Sequence, residues 1–103
     1  MTNPPPQRSA QQQSATDART ARLTLYHFPA CPYCVRVARE IERLILKIET
    51  RDILRNEEYL EELRAGGGRT RVPCLCIRDD DGTVEWLYES ADIIAYLRAH
   101  FSD

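Results

Sequence analysis

Two cysteines at redox spacing are the residues of this sequence best suited to do chemistry. The segment Cys31-Pro32-Tyr33-Cys34 follows a short apolar run and opens a stretch with helical periodicity. A cysteine at a helix start lies beside unpaired backbone N–H groups and the positive end of the helix dipole, and both stabilise a thiolate. The thiolate is the nucleophile of disulfide exchange. We therefore predict that Cys31 attacks a disulfide and that Cys34, inside the helix, attacks the mixed disulfide formed at Cys31.

The other two cysteines, Cys74 and Cys76, are separated by one residue on a predicted strand, so their side chains point to the same face. A zinc site made of all four cysteines is an alternative. Zinc ribbons, however, prefer two C-x-x-C knuckles with a shorter stretch between them than the 39 residues from Cys34 to Cys74. We expect no metal and predict that Cys74 and Cys76 pack as small apolar residues.

The elements that must position the first pair follow from the spacing of apolar residues. Strands are predicted over 23–28, 46–52, 73–77 and 84–88, and helices over 32–44, over 57–65 and from 90 onward. The turn signals are glycines 66–68, which end the second helix, and the hairpin run 79–82. The order β-α-β-α-β-β-α predicts an α/β fold with a four-stranded mixed sheet and three helices.

The composition is that of one small folded protein. The 103 residues, 43% of them hydrophobic, leave room for a single domain. Acidic residues outnumber basic residues by 16 to 14, which argues against a dedicated nucleic-acid binder. No apolar stretch approaches the roughly 18 residues that span a bilayer, and the N-terminus lacks the apolar core of a signal peptide. We expect a cytoplasmic monomer with no membrane or nucleic-acid partner.

The first 22 residues differ from the rest of the chain. They contain four Gln and three consecutive Pro but few residues that could build a core, so we predict a disordered tail over 1–22 and a folded domain over 23–103. A docking role for the Pro run is an alternative. The tail carries a net charge of +2, three Arg against one Asp, which leaves 11 basic and 15 acidic residues, or −4, on the domain.

A second functional element is Val72-Pro73, where a proline opens the third strand after a β-branched residue. Such a proline is either a trans residue at a sheet edge or a cis proline in a turn. The residues alone leave both forms open.

Taken in order, the Cys-x-x-Cys segment, Val72-Pro73 and the run Glu89-Ser90-Ala91-Asp92-Ile93-Ile94-Ala95-Tyr96-Leu97 resemble the dithiol glutaredoxin family from about Leu23 to Phe101. The resemblance implies a thioredoxin-like fold and a cis proline facing the active-site cysteine. It also implies a glutathione-dependent thiol–disulfide oxidoreductase, active in electron transport and cell redox homeostasis, that reduces protein–glutathione mixed disulfides and protein disulfides. Glutathione is then the reductant, and glutathionylated or disulfide-containing proteins are the partners.

The resemblance further implies where glutathione binds. Its cysteinyl part pairs with the backbone before the cis proline, and its γ-glutamyl carboxylate lies at the start of the last helix. A helix N-terminus is a ready carboxylate site, and Asp92 could receive the α-amine. For the glycine carboxylate the candidates are Arg69 and Arg71, with Arg36 a weaker one. The expected binding set is Tyr33, Arg71, Val72, Pro73, Ser90, Ala91 and Asp92.

Three positions depart from the glutaredoxin pattern. A few residues before the first cysteine, where the family often has lysine, the nearby basic residue is His27, which is largely neutral at pH 7. Arg71 replaces the usual threonine before Val-Pro. Tyr88-Glu89 replaces the common Gly-Gly pair before the last helix. Glu89-Ser90 is also similar to the glutathione-binding turn of glutathione S-transferase N-terminal domains. Those domains share this fold but are joined to a helical second domain, which we do not expect within 103 residues.

Two other functions stay open. The chain could be a non-catalytic module that binds glutathione, a target protein or, as a dimer, an iron–sulfur cluster at Cys31. It could also be a thioredoxin-type enzyme fed by a reductase. Pro32-Tyr33, where thioredoxins usually have Gly-Pro, and the turn at Ser90 both favour glutathione.

Overall fold

The chain builds a mixed sheet with helices on both faces, and we describe residues 4–102 of a computed structural model. The strands are β1 (Leu23–His27), β2 (Glu49–Asp52), β3 (Cys74–Arg78) and β4 (Val84–Tyr88), and the helices are α1 (Ala10–Thr20), α2 (Pro32–Arg43), α3 (Glu57–Gly67) and α4 (Ser90–Phe101). The sheet order is β2-β1-β3-β4, with β2 parallel to β1 and β3 antiparallel to both neighbours. The predicted order of elements is confirmed, with one additional helix at the start.

Side chains along each strand alternate between the two faces of the sheet, so the core consists of two clusters. Leu25 and Leu75 point to the face covered by α2 and α4, which contribute Val37 and Leu97. The neighbouring strand positions point to the opposite face, where Tyr26, Cys74 and Cys76 pack with Leu63 of α3. This two-residue period is the geometry of a strand buried on both sides.

Helix α1 corrects the prediction of a disordered tail over 1–22. Its N-terminus carries a capping box: the Gln12 amide donates to Ser9 Oγ at 3.1 Å, and the Ser9 amide donates to Gln12 Oε1 at 2.8 Å. Thr16 and Thr20 of this helix are buried. The composition argument failed because a capped helix that buries two small threonines needs little apolar surface. Residues 1–3 of the predicted tail lie outside the described residues.

Arginines tie this N-terminal segment to the C-terminal ends of α2 and α4. Arg8 donates to the carbonyl oxygens of Leu44, at 2.6 Å, and of Phe101. Arg19 donates to the carbonyl of His100 at 2.9 Å, and its guanidinium lies 4.6 Å from the centre of the Phe101 ring. Helix C-termini expose unpaired carbonyls with partial negative charge, so cations stabilise them. The N-terminal segment therefore caps the C-terminal ends of α2 and α4, at the end of the helices opposite their N-termini.

Strand β2 begins at Glu49, later than the predicted start at Leu46. The Leu46 amide donates to the carbonyl of Ile41 at 3.0 Å and so still belongs to the end of α2. Because this N–H is hydrogen-bonded at the end of α2, it cannot pair with a neighbouring strand. No helix within residues 4–102 is long and apolar enough to cross a membrane.

A buried carboxylate holds α2 against α4. Glu40 of α2 is only 6% exposed although its side chain is charged. It accepts hydrogen bonds from Arg98 at 3.0 Å and from Arg43 Nε at 2.8 Å. Burial by itself would raise the pKa of Glu40, but the hydrogen bonds from Arg98 and Arg43 outweigh burial and hold the pKa below its ordinary value of 4.5. Folding therefore favours the ionised form of this side chain.

Replacing Glu40 by Gln is expected to lower the free energy of unfolding by about 1–3 kcal/mol at pH 7, because two charged hydrogen bonds lose their acceptor charge. A carboxyl group whose pKa is depressed by folding stabilises the native state above its unfolded pKa and loses that contribution as pH falls. The difference between wild type and Glu40→Gln should thus shrink below about pH 4.5. Urea unfolding at several pH values measures it, with the exposed Glu42→Gln as control; equal stability of Glu40→Gln and wild type at pH 7 would contradict the assignment.

Candidate active site

The register of the sheet brings three chain segments to one edge. Tyr26 of β1 pairs with Cys74 of β3, and Cys74 pairs with Tyr88 of β4. The chain leaves β1 toward Cys31, enters β3 and leaves β4 at this same edge. The sequence motifs that the resemblance grouped therefore meet in space.

Cys31 is the N-cap residue of α2, as predicted. Its backbone is extended, and Pro32 occupies the first helical turn, where a missing N–H costs no hydrogen bond. Cys31 Sγ accepts a hydrogen bond from the Cys34 amide at 3.3 Å, and its side chain is 5% exposed. The sulfur thus occupies the position that a Ser or Asp oxygen fills in an ordinary N-cap. An N–H donor and the positive end of the helix dipole both favour negative charge on this sulfur.

Cys34 is held in the neutral form beside it. The residue is 2% exposed. Burial raises the pKa of the Cys34 thiol to about 12, and the neighbouring Cys31 sulfur acts in the same direction. Of the two thiols, Cys31 is therefore placed to act as nucleophile and Cys34 to follow once Cys31 carries a substituent.

A groove of about 210 Å³ opens at this edge of the sheet. Five of the seven residues predicted to bind glutathione line it, namely Tyr33, Arg71, Val72, Pro73 and Ser90, together with Tyr88 and Glu89. The Val72–Pro73 peptide bond is cis, as the resemblance implied. The structure thus gathers residues from the start of α2, the loop before β3 and the start of α4 around one small cavity.

Helix α4 begins at Ser90, as predicted. Its N-cap residue is Glu89, which has φ 70° and makes no side-chain cap. A positive φ is costly for a residue with a side chain and is concentrated at functional sites. Ala91 and Asp92 are exposed on the first turn and do not line the groove. Tyr88 and Glu89 are groove residues that the analysis of the sequence missed, although the match to a transferase-like turn pointed to Glu89.

Of the three candidate arginines, only Arg71 lines the groove. The backbone of Arg69 is held by Tyr88, whose hydroxyl donates to its carbonyl at 2.9 Å and accepts from its amide at 3.3 Å, and the Arg69 guanidinium lies 5.7 Å from the ring centre. Arg36 lines a different groove, between α2 and α4. Gly67 lets α3 approach this tyrosine, since a Cβ there would lie 2.0 Å from the hydroxyl oxygen. Tyr88 therefore fixes the loop that carries Arg71.

His27, Cys74 and Cys76 are the other titratable groups that the sequence singled out. Burial lowers the pKa of the half-buried His27, and Asp52 opposes that shift in part. Cys74 and Cys76 are 0% and 3% exposed and pack against α3, which confirms the prediction that they belong to the core. Burial raises the pKa of both thiols, that of Cys74 to about 12. All four cysteines are free, and no group of three or more His, Cys, Asp or Glu among residues 4–102 is arranged to hold a metal.

Alkylation of the reduced, folded protein with iodoacetamide at pH 7 to 9 is expected to modify Cys31 first. Only this sulfur combines a helix N-terminal position with a hydrogen bond from an amide, whereas burial raises the pKa of the other three thiols. Peptide mapping by mass spectrometry identifies the modified residue, and denatured protein, in which all four thiols react, is the control. Faster modification of Cys34 or Cys74 than of Cys31 would contradict this order.

Comparison with known proteins places this geometry in a family. A family model described as "Glutathione S-transferase, N-terminal domain" matches residues 25–103. A glutathione transferase from Drosophila melanogaster is 31% identical, with a TM-score of 0.56, over 79% of this chain and 36% of its own. A glutathione transferase homologue from Sulfitobacter, solved with bound glutathione, is 29% identical, with a TM-score of 0.56, over 77% of this chain and 36% of its own. No curated protein matches the chain in sequence.

The thioredoxin-like fold is confirmed by a solved thioredoxin-like protein, which is 21% identical with a TM-score of 0.58 over 73% of this chain and 97% of its own. Against the two glutathione transferases, this chain spans 36% of their length. The family model covers both the Cys-x-x-Cys segment and the turn at Glu89, so the likeness to a transferase turn extends from Leu25 in β1 through α4 and leaves out α1. The chain belongs to the glutathione S-transferase N-terminal domain family.

Proposed function

We propose that this protein is a glutathione-dependent thiol–disulfide oxidoreductase that reduces protein–glutathione mixed disulfides and protein disulfides through Cys31. The observation that carries the proposal is the arrangement of Cys31 and Cys34 at the start of α2, with the Cys34 amide bonded to Cys31 Sγ at 3.3 Å. Tyr33, between the two cysteines, lines a groove with four other residues that we predict to bind glutathione. A redox reaction explains the second thiol, which simple binding would not need.

Glutathione would lie along the groove with its charged ends on opposite sides. The start of α4 has no side-chain cap, so its backbone N–H groups are available to the γ-glutamyl carboxylate beside Ser90. Asp92, exposed on the same turn just outside the groove lining, is the carboxylate that we propose for the α-amine. Arg71 is the cation in the groove for the glycine carboxylate, and the backbone of Val72 would pair with the cysteinyl part.

The proposed reaction balances over two exchanges. The Cys31 thiolate attacks the glutathione sulfur of a protein–glutathione disulfide, which forms a Cys31–glutathione disulfide and releases the protein thiolate to take up a proton. A second glutathione then gives up its proton and attacks the glutathione sulfur on Cys31, which releases oxidised glutathione and restores the Cys31 thiolate. The two exchanges together consume one protein–glutathione disulfide and one free glutathione and yield the protein thiol and oxidised glutathione.

Cys34 serves the reduction of protein disulfides. When Cys31 is joined to a substrate protein, the Cys34 thiol loses a proton and attacks Cys31 Sγ, which closes the Cys31–Cys34 disulfide and releases the reduced substrate. Two molecules of glutathione then reopen that disulfide. The chemistry requires a compartment supplied with reduced glutathione, so the cytoplasm remains part of the proposal.

A second candidate is glutathione transfer to an electrophile, favoured by the family and by the two transferases of similar structure. In that reaction the bound glutathione thiolate is the nucleophile, and Cys34 has no role. Thioredoxin-type reduction by a reductase would not need the groove, and a cluster-binding module would use Cys31 as a ligand. These alternatives predict different dependence on glutathione and on Cys34.

Cys31→Ser is expected to abolish glutathione-coupled reduction of a glutathionylated peptide, whereas Cys34→Ser is expected to keep it, because only Cys31 is needed for the monothiol route. Cys34→Ser should lose reduction of a protein disulfide. Consumption of NADPH through glutathione reductase measures both activities, run with and without glutathione. Full activity of Cys31→Ser would overturn the mechanism; activity without glutathione but with thioredoxin reductase would favour the thioredoxin-type alternative.

Arg71→Ala is expected to raise KM for glutathione about fivefold or more with little change in kcat at saturation, since a charged hydrogen bond to the glycine carboxylate would be lost. Arg64→Ala, on the exposed side of α3, is the matched control and should change neither constant. Initial rates over a range of glutathione concentrations measure the effect. An unchanged KM in Arg71→Ala would remove this residue from the site.

A further inference from the structure

A second and larger groove, of about 690 Å³, lies between α2 and α4 on the face away from α3. Its apolar part comes from Ile45 and Ile94, and Pro5 of the N-terminal segment borders it. Four arginines line the rest, namely Arg36, Arg39, Arg43 and Arg98. The groove is separate from the cavity that we assign to glutathione, because the two share no lining residue.

The groove is positively charged on a chain whose formal net charge is −2. Its lining holds four arginines and two carboxylates, Glu40 and Glu42, and therefore carries a formal net charge of two positive. Glu40 is already paired with Arg43 and Arg98. Arg36 and Arg39 are exposed and have no carboxylate partner among residues 4–102. These two cations are therefore available to a ligand.

The charged groove continues from the active site along one face of α2. Tyr33, which is 59% exposed, lines the active-site cavity, and Arg36 lies one turn further on the same face. Arg39 follows within the next turn. With a rise of about 1.5 Å per residue, Arg36 and Arg39 lie roughly 7 and 12 Å along the helix from Cys31. An extended peptide covers that distance in about two to four residues.

Resting on the proposed function, we infer that the α2–α4 groove binds an acidic segment of the disulfide-containing substrate protein, about two to five residues from the cysteine that reacts with Cys31. Carboxylates of that segment pair with Arg36 and Arg39, while an aliphatic side chain packs on Ile94 of α4. A peptide fits this surface better than a nucleic acid, because the groove combines charge with an apolar floor. The substrate class is then a protein disulfide flanked by acidic residues.

The test compares two disulfide-bonded peptides that are identical except for glutamates or lysines at positions two to five from each cysteine. Wild type is expected to reduce the acidic peptide with at least tenfold higher kcat/KM. The double variant Arg36→Glu, Arg39→Glu should lose or invert that preference, since charge reversal repels the acidic segment. The matched control, Arg22→Glu, Arg78→Glu, makes the same change of charge at the opposite edge of the sheet and should keep the preference.

A small substrate separates failure of this inference from failure of the proposed function. The mixed disulfide of cysteine and glutathione has no flanking segment, so wild type and the Arg36/Arg39 variant should reduce it at equal rates. Reduction of the small substrate with no preference between the peptides would overturn the docking site alone. Absence of turnover with every substrate would instead overturn the oxidoreductase. Tighter binding of an oligonucleotide than of an acidic peptide of equal charge, measured by fluorescence anisotropy, would also contradict the inference.

Discussion

The antiparallel register that pairs Tyr26 with Cys74, and Cys74 with Tyr88, is the constraint on which the active site depends. It places the exit of β1, the entry of β3 and the exit of β4 at one edge of the sheet. Only a few residues separate these strand ends from Cys31 after β1, Pro73 before β3 and Ser90 after β4. The strands, and not long loops, therefore set the positions of these residues. A slip of one residue would turn each strand's core face to the other side and separate these segments.

The dipoles of two helices direct their positive ends to that edge. Both α2 and α4 begin at the active-site side, where their N–H groups favour negative charge on Cys31 Sγ and, as we propose, on a carboxylate of glutathione. At the other end Arg8 and Arg19 satisfy carbonyl groups at the helix C-termini. Glu40 joins the two helices between these ends. Carbonyl groups at the C-terminal ends of the two helices are therefore hydrogen-bonded within the protein, whereas the N-terminus of α4 has no side-chain cap.

Local pattern was sufficient to predict most of the fold and part of the site. The strand alternation, the helix that begins at Pro32 and the stop at Gly66 to Gly68 depend on neighbours in sequence, and the structure has each of them. Three features do not follow from sequence spacing. Arg8 ties the segment of α1 to distant carbonyls, and Arg98 reaches the buried Glu40 from another helix. Glu89 adopts a positive φ that glycine more commonly supplies.

The proposed function requires that glutathione binds between the loop before β3 and the start of α4. Titration of the isotope-labelled, reduced protein with glutathione, followed by NMR, tests that claim most directly. We predict that the largest amide shifts cluster at Tyr33, Val72 and Ser90 and that residues of the α2–α4 groove, such as Arg39, shift little. Shifts centred on the α2–α4 groove, or no shifts at millimolar glutathione, would contradict it.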